Sequence, residues 1–82
     1  MTLSMNGEIA LAEMKIGRAG VISQIDGGGR MVRRLEALGV RPGKTVEKVS
    51  SVFDRGPVII SLDGRMIAVG RRQAMRIFVI EN

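Results

Sequence analysis

The sequence predicts a mainly β protein, a small five-stranded barrel with one short helix inserted after its first strand and a short helical segment at its N-terminal end. Five short segments rich in β-branched residues follow one another, separated by glycines and turns, and one clear helical pattern interrupts them. Five short strands in a chain of 82 residues need closure, because an open sheet would leave long unpaired edges. We therefore expect residues 1–82 to form a single domain, with residues 1–7 as a flexible start.

The predicted strands alternate with turns of recognisable chemistry. Asp63-Gly64 favours a type I′ hairpin, because an Asp-Gly pair tolerates the positive φ angles of that turn. Pro42-Gly43 predicts a type II turn with glycine at its third position. Residues 71–75 are too few for more than one helical turn. The strands themselves are predicted at residues 21–25, 45–51, 58–62, 65–69 and 76–80.

One segment has the spacing of an amphipathic helix. Met31, Leu35 and Leu38 recur at i, i+4 and i+7, which places them on one face of a helix that Gly39 ends. The glycines at 27–29 precede this helix and serve as a connector. A backbone anion site at the helix start is the alternative, but the glycine spacing of a dinucleotide fold is missing.

The N-terminal segment has a weaker helical signal. Leu11 and Met14 lie three residues apart, which predicts one or two helical turns within residues 8–16, ended by Gly17. The start has no basic region before an apolar stretch, and no run of apolar residues is long enough to cross a bilayer. We therefore expect a cytosolic protein.

The composition excludes several kinds of site. The chain has no cysteine and no histidine, so the commonest zinc ligands and the usual catalytic bases and nucleophiles are absent. We predict no enzymatic activity, no cofactor and no catalytic or metal-binding residue. The remaining acids stand isolated in the sequence, which leaves a carboxylate-only metal site as a disfavoured alternative: Asp26, Asp54, Asp63 and Glu81.

The main surface feature is a set of arginines in a chain of net charge +5. Such a charge attracts acidic partners, whether nucleic acid, anionic lipid or an acidic protein surface. The arginines form either a solvated face or a docking patch. Two groups contain most of them, namely Arg30, Arg33 and Arg34 in the predicted helix, and Arg71, Arg72 and Arg76 before the last strand.

Several stretches resemble the FeoA family. The central stretch RLEALGVRPG at residues 34–43 is similar to the family's Arg-Leu-x-x-Leu-Gly-hydrophobic-x-Pro-Gly pattern. The stretches LAEMKIG at 11–17, GVISQIDGG at 20–28 and IAVGR at 67–71 agree with it in order and spacing. The resemblance implies an SH3-like barrel, and the motif residues are structural ones.

The resemblance also implies a non-enzymatic accessory protein of bacterial ferrous iron uptake. Its partner would be the cytosolic, GTPase-bearing region of the FeoB membrane transporter, which gives an indirect membrane association and no small-molecule substrate. We expect Arg33 and Arg34, and then Arg71 and Arg72, to contact that partner.

The main alternative is a basic small barrel that binds nucleic acid. The chain offers two phenylalanines and no other aromatic residue on which bases could stack, so nucleic acid is the less favoured partner. An iron carrier is a third reading, against which the missing histidine and cysteine argue.

Overall fold

The computed structural model describes residues 7–51 and 56–82, which form six strands, a nine-residue helix and two short helical turns. The predicted flexible start, apart from Gly7, and Asp54 lie outside these ranges. The five predicted strands, the helix and the single turn before the last strand are confirmed, with small shifts of their ends. In chain order the elements are β1 (Glu8–Ala10), a 3-10 turn (Leu11–Glu13), β2 (Ala19–Ile25), α1 (Gly29–Ala37), β3 (Thr45–Ser51), β4 (Val58–Leu62), β5 (Arg65–Val69), α2 (Arg71–Ala74) and β6 (Ile77–Glu81).

All the described strands belong to one antiparallel sheet with the order β1-β6-β2-β3-β4-β5. The register shifts between Ile22 and Gln24 in β2, and between Lys48 and Ser50 in β3. Such irregularities bend strands and increase their twist, which lets the sheet wrap around a core. The closure expected from the sequence is not made by hydrogen bonds, because in the described residues β1 and β5 remain the two edges.

A single aliphatic core fills the inside of this curved sheet. Val58, Ile60 and Leu62 of β4 are buried, as the alternation in that strand predicts. Burying a Val, Leu or Ile side chain contributes about 1.5–3 kcal/mol, so the core is the main source of stability in a chain without disulfides. The largest side chains that are fully buried are Leu11, Ile22, Ile60, Leu62, Ile77, Val40, Val46, Val58, Val69 and Val79. None of the helices in the described ranges is long and apolar enough to span a membrane.

The prediction of one or two helical turns within residues 8–16 is wrong for most of that segment. Residues 8–10 form β1, which pairs antiparallel with β6, and only Leu11–Glu13 make a single 3-10 turn. The apolar spacing that suggested a helix is nonetheless a burial signal, since Leu11 and Met14 are both in the core. The Oγ of Ser23 donates a hydrogen bond to the Glu8 carboxylate and holds β1 to the sheet. Pairing with a strand at the other end of the chain overrides the local helical preference.

The helix α1 ends in a tight hydrogen-bonded motif. The N–H of Gly39 donates to the Glu36 carbonyl, and the N–H of Val40 donates to the Leu35 carbonyl. This is a Schellman motif, in which Gly39 supplies the positive φ (91°) and Val40 packs in the core beside Leu35. Because the chain turns there, Leu38 is 40% exposed and does not share the buried face predicted for it.

The hairpin between β4 and β5 closes over the end of α1. An Nη2 hydrogen of Arg65 donates to the Leu38 carbonyl at 2.8 Å, which satisfies a carbonyl that the helix leaves without an internal partner. A Cβ on Gly39 would lie 3.0 Å from Arg65 Nη2 and 3.2 Å from Leu62 Cδ2. Both predicted turns are confirmed, with positive φ at Asp63, Gly64 and Gly43.

We expect Gly39→Ala to lower the free energy of unfolding by about 1–3 kcal/mol, because alanine is strained at positive φ and its methyl group would meet Leu62 and Arg65. Gly43→Ala is the matched control, since Gly43 also has positive φ (95°) but open space around its Cβ position. Urea unfolding of both variants should show the larger loss for Gly39→Ala. An equal loss of unfolding free energy in the two variants would mean that contacts with Leu62 and Arg65 add nothing to the cost at Gly39.

Candidate functional site

The structure brings the segments that carry the two arginine groups of the sequence close to each other. The N–H of Asp26, which follows β2, donates to the Arg76 carbonyl at 2.8 Å. An Nη1 hydrogen of Arg76 donates in return to the Asp26 carbonyl at 3.4 Å. Ile25 and Ile77 are the adjoining register pair of β2 and β6. The start of α1 and the turn after α2 are therefore neighbours.

We call this surface the basic end and define it as Arg30, Arg33, Arg34, Arg72 and Arg76. All five side chains are exposed. The ion pairs of the described residues lie elsewhere, between Arg18 and Glu81 at 3.7 Å and between Lys44 and Asp63 at 2.9 Å. The basic end thus presents its positive charge to solvent.

Arg71 differs from the other three arginines predicted to bind a partner. It is half-buried, and its Nη2 donates to the Oγ of Ser51 on β3 at 2.7 Å. This bond holds the start of α2 against the sheet. Arg33, Arg34 and Arg72 are presented at the surface, and the assignment of all four as contact residues stays a prediction.

The charge distribution of α1 is unfavourable for an isolated helix. Gly28 is its N-cap and provides no side-chain hydrogen bond, and the first turn has no acidic residue. Arg30 lies in that first turn, next to the positive end of the helix dipole. Departures of this kind from local optimum occur at functional sites, where a ligand or partner compensates for them.

The carboxylates are scattered over the described part of the fold. Asp63 pairs with Lys44, Glu81 lies near Arg18, and Asp26 is exposed beside the basic end. No group of three or more acidic, histidine or cysteine residues in residues 7–51 and 56–82 is arranged to hold a metal ion. No pocket is found in those ranges either.

Lys48 is an unusual residue that the sequence analysis did not single out. It is 3% exposed, and its Nζ donates to the carbonyls of Ala12 at 2.8 Å and Met14 at 2.6 Å. The period of two in β3 places Lys48 on the same face as Val46, and this was the available signal for its burial. Lys48 thus joins β3 to the N-terminal segment that contains Ala12 and Met14.

The surroundings of Lys48 disfavour its charged form. Burial, and secondarily the positive charge of Arg71, lower the pKa of the Lys48 ammonium from its ordinary value of 10.5. Between this lowered pKa and 10.5, the unfolded chain holds a proton that the folded chain has released. The free energy of unfolding therefore rises with pH over that range.

The sequence and the structure both match known proteins. The sequence model of the FeoA domain family matches residues 9–81. The chain is similar to a protein of Methanocaldococcus jannaschii named "Putative Fe(2+) transport protein A", with 38% identity over 69 residues that cover 84% of this chain and 82% of that one. It is also similar to the crystal structure of an iron uptake regulatory protein (FeoA), with 33% identity, a TM-score of 0.85 and coverage of 92% of this chain and 99% of that one.

A more distant likeness concerns the fold alone. The FeoA of Stenotrophomonas maltophilia is 21% identical, with a TM-score of 0.73 and coverage of 87% of this chain and 88% of that one. It is described as a prokaryotic SH3 domain protein. The predicted SH3-like architecture is thereby confirmed.

We expect the difference in unfolding free energy between the natural protein and Lys48→Met to change with pH. The natural protein should gain stability relative to the variant as the pH rises through the alkaline range up to 10.5, because Lys48 releases a proton on folding there and methionine has none to release. Urea unfolding at a series of pH values measures this. A difference that does not vary with pH would contradict the altered pKa.

Proposed function

This chain belongs to the FeoA family of ferrous iron transport accessory proteins, and we propose that it acts by binding the cytosolic, GTPase-bearing region of a FeoB-type membrane transporter. The protein works in the cytosol and reaches the membrane only through this partner. It binds through a surface and performs no catalysis of its own.

The basic end supports this proposal more than any other feature. Asp26 and Arg76, which are 50 positions apart in the sequence, join the segment before α1 to the turn after α2, so the two arginine-bearing segments are neighbours. Complementary charge speeds the encounter of two proteins and selects between partners. The basic end accordingly fits an acidic face on the cytosolic region of the transporter.

The geometry of the basic end favours a protein partner over a single-stranded nucleic acid. Arginine can pair with carboxylates and phosphates alike, so charge does not distinguish these partners. Single strands bind mostly by stacking their bases on aromatic rings. Phe53 lies outside the described residues, and Phe78 is half-buried in β6, opposite Ala10 and Gln24. Arginines could also bind a duplex through its phosphates, and the experiment below includes a duplex to distinguish this kind of binding from binding to a protein.

The deciding experiment measures binding of the purified chain to the cytosolic region of FeoB from the same organism. A random single-stranded and a random duplex oligonucleotide serve as controls at near-physiological salt. Saturable binding to the FeoB region alone would support the proposal. Binding to either oligonucleotide without binding to the FeoB region would assign the basic end to nucleic acid instead.

We expect the double variant Arg33→Glu/Arg34→Glu to bind the FeoB region at least about tenfold more weakly than the natural protein at low salt, because two attractive contacts become repulsive. The control Lys15→Glu/Arg41→Glu changes the net charge equally at exposed positions outside the basic end. Titration calorimetry of both variants separates a local contact from a general charge effect. Equal losses would mean that the basic end is not the contact surface.

We also expect Arg30→Glu to stabilise the protein while weakening its binding. A carboxylate in the first turn of α1 should raise the free energy of unfolding by about 0.3–1 kcal/mol, because it interacts favourably with the helix dipole. The same change removes one charge of the basic end. Urea unfolding and calorimetry on one preparation test both effects. If the variant were more stable but bound the FeoB region as tightly as the natural protein does, Arg30 would not be part of the contact surface.

A further inference from the structure

The strand β5 forms an open edge of the sheet. It pairs with β4 in continuous register from Leu62 opposite Arg65 to Val58 opposite Val69, without the irregularity that interrupts β2 and β3. No strand within residues 7–51 and 56–82 pairs with its other side. A regular strand with an unpaired side is a template for another strand.

The hairpin geometry shows which backbone groups lie on that open side. Two residues, Asp63 and Gly64, connect β4 to β5, and in such hairpins the flanking residues exchange both backbone hydrogen bonds. Bonded and non-bonded pairs then alternate along an antiparallel ladder. Arg65, Ile67 and Val69 therefore direct their backbone groups toward β4. Those of Met66 and Ala68 point away from it.

This edge lacks the protections that proteins usually place on exposed strands. Common protections are proline, a bulge, a very short strand or charged residues along the edge. Within β5 the single charged residue is Arg65, at its first position, and its guanidinium is engaged with the Leu38 carbonyl. Met66 is 67% exposed and Ala68 is also exposed. At the opposite edge, β1 is protected by its length of three residues and by the charge of Glu8.

Charge indicates which occupant this edge can accept. Two copies of a chain with net charge +5 repel each other, most strongly where the basic end would face another. Around Met66 and Ala68 the cross-strand neighbours are Ser61 and Ile59, which are uncharged. Two copies can approach closely at such a surface, whereas an acidic partner finds only Arg65 in this strand, whose guanidinium is already engaged with the Leu38 carbonyl.

The edge is also complementary to itself. In an antiparallel pair with a two-fold axis at Ile67, Met66 of one copy lies opposite Ala68 of the other. Both residues direct their N–H and C=O groups outward, so each of these two pairs makes two hydrogen bonds. The exposed methionine then packs beside the partner's alanine on the outer face of the joined sheet.

We propose that β5 is a self-association edge, at which a second copy of this chain adds its own β5 in antiparallel register about Ile67. The joined surface is small compared with the roughly 1,200–2,000 Å² of a stable interface, so the dimer is weak and depends on concentration. Salt strengthens it by screening the repulsion between the copies. Salt weakens the binding of an acidic partner at the basic end, which distinguishes the two interactions.

Sedimentation velocity of the full chain from about 10 µM to about 1 mM, at low and high salt, tests the association. Amide hydrogen exchange, measured by NMR over the same range of protein concentrations, tests whether the two copies join at β5. In the monomer, the amides of Met66 and Ala68 exchange fast while that of Ile67 is protected. On dimerisation, both fast amides should become protected.

Met66→Lys should weaken the self-association by at least about tenfold, because it places two like charges beside the joined edge. Met75→Lys is the matched control, since Met75 is also exposed but lies outside β5. A chain that stays monomeric, or a dimer in which the amides of Met66 and Ala68 still exchange fast, would overturn the proposal. Protection of these amides only after addition of the FeoB region would assign the edge to that partner and overturn it equally.

Discussion

The buried ammonium group of Lys48 fixes the N-terminal segment across the sheet, and the integrity of the core depends on this bond. Its two acceptors, the carbonyls of Ala12 and Met14, lie where the chain leaves the 3-10 turn and carries Leu11 and Met14 into the core. Those carbonyls would cost about 1–3 kcal/mol each if they were left buried without a partner. The bond thus compensates for burying a charge and allows a short chain to cover its core without a disulfide.

The stretch from Gly39 to Gly43 imposes a second constraint. The Schellman motif ends α1, and the type II turn redirects the chain into β3. The Arg65 guanidinium joins the end of α1 to the hairpin of β4 and β5. Gly39, Val40 and Gly43 each have a structural task in this stretch. Family membership can therefore be read from it, while the residues that we propose to meet a partner lie elsewhere.

The surface is divided by charge into two parts with different physical properties. The basic end attracts acidic surfaces over a distance set by the Debye length, which is about 8 Å at physiological salt. The β5 edge has few charges and offers directional backbone hydrogen bonds at short range. Each part can change without the other, because they lie on different elements. The two contacts that we propose, with the transporter and with a second copy, therefore use different residues.

The sequence alone determined the features that depend on short-range physics. Turn chemistry located the hairpin at Asp63-Gly64, β-branched runs located five strands, and the apolar period located α1. The sequence could not show that residues 8–10 join β6, because that pairing depends on backbone groups about seventy positions apart. The same limit applies to the site, where the arginines were visible but the bond between Asp26 and Arg76, which brings their two segments together, was not. Tertiary structure also decided that Lys48 is buried and that Arg71 bonds to Ser51, since burial and hydrogen bonding depend on which elements pack together.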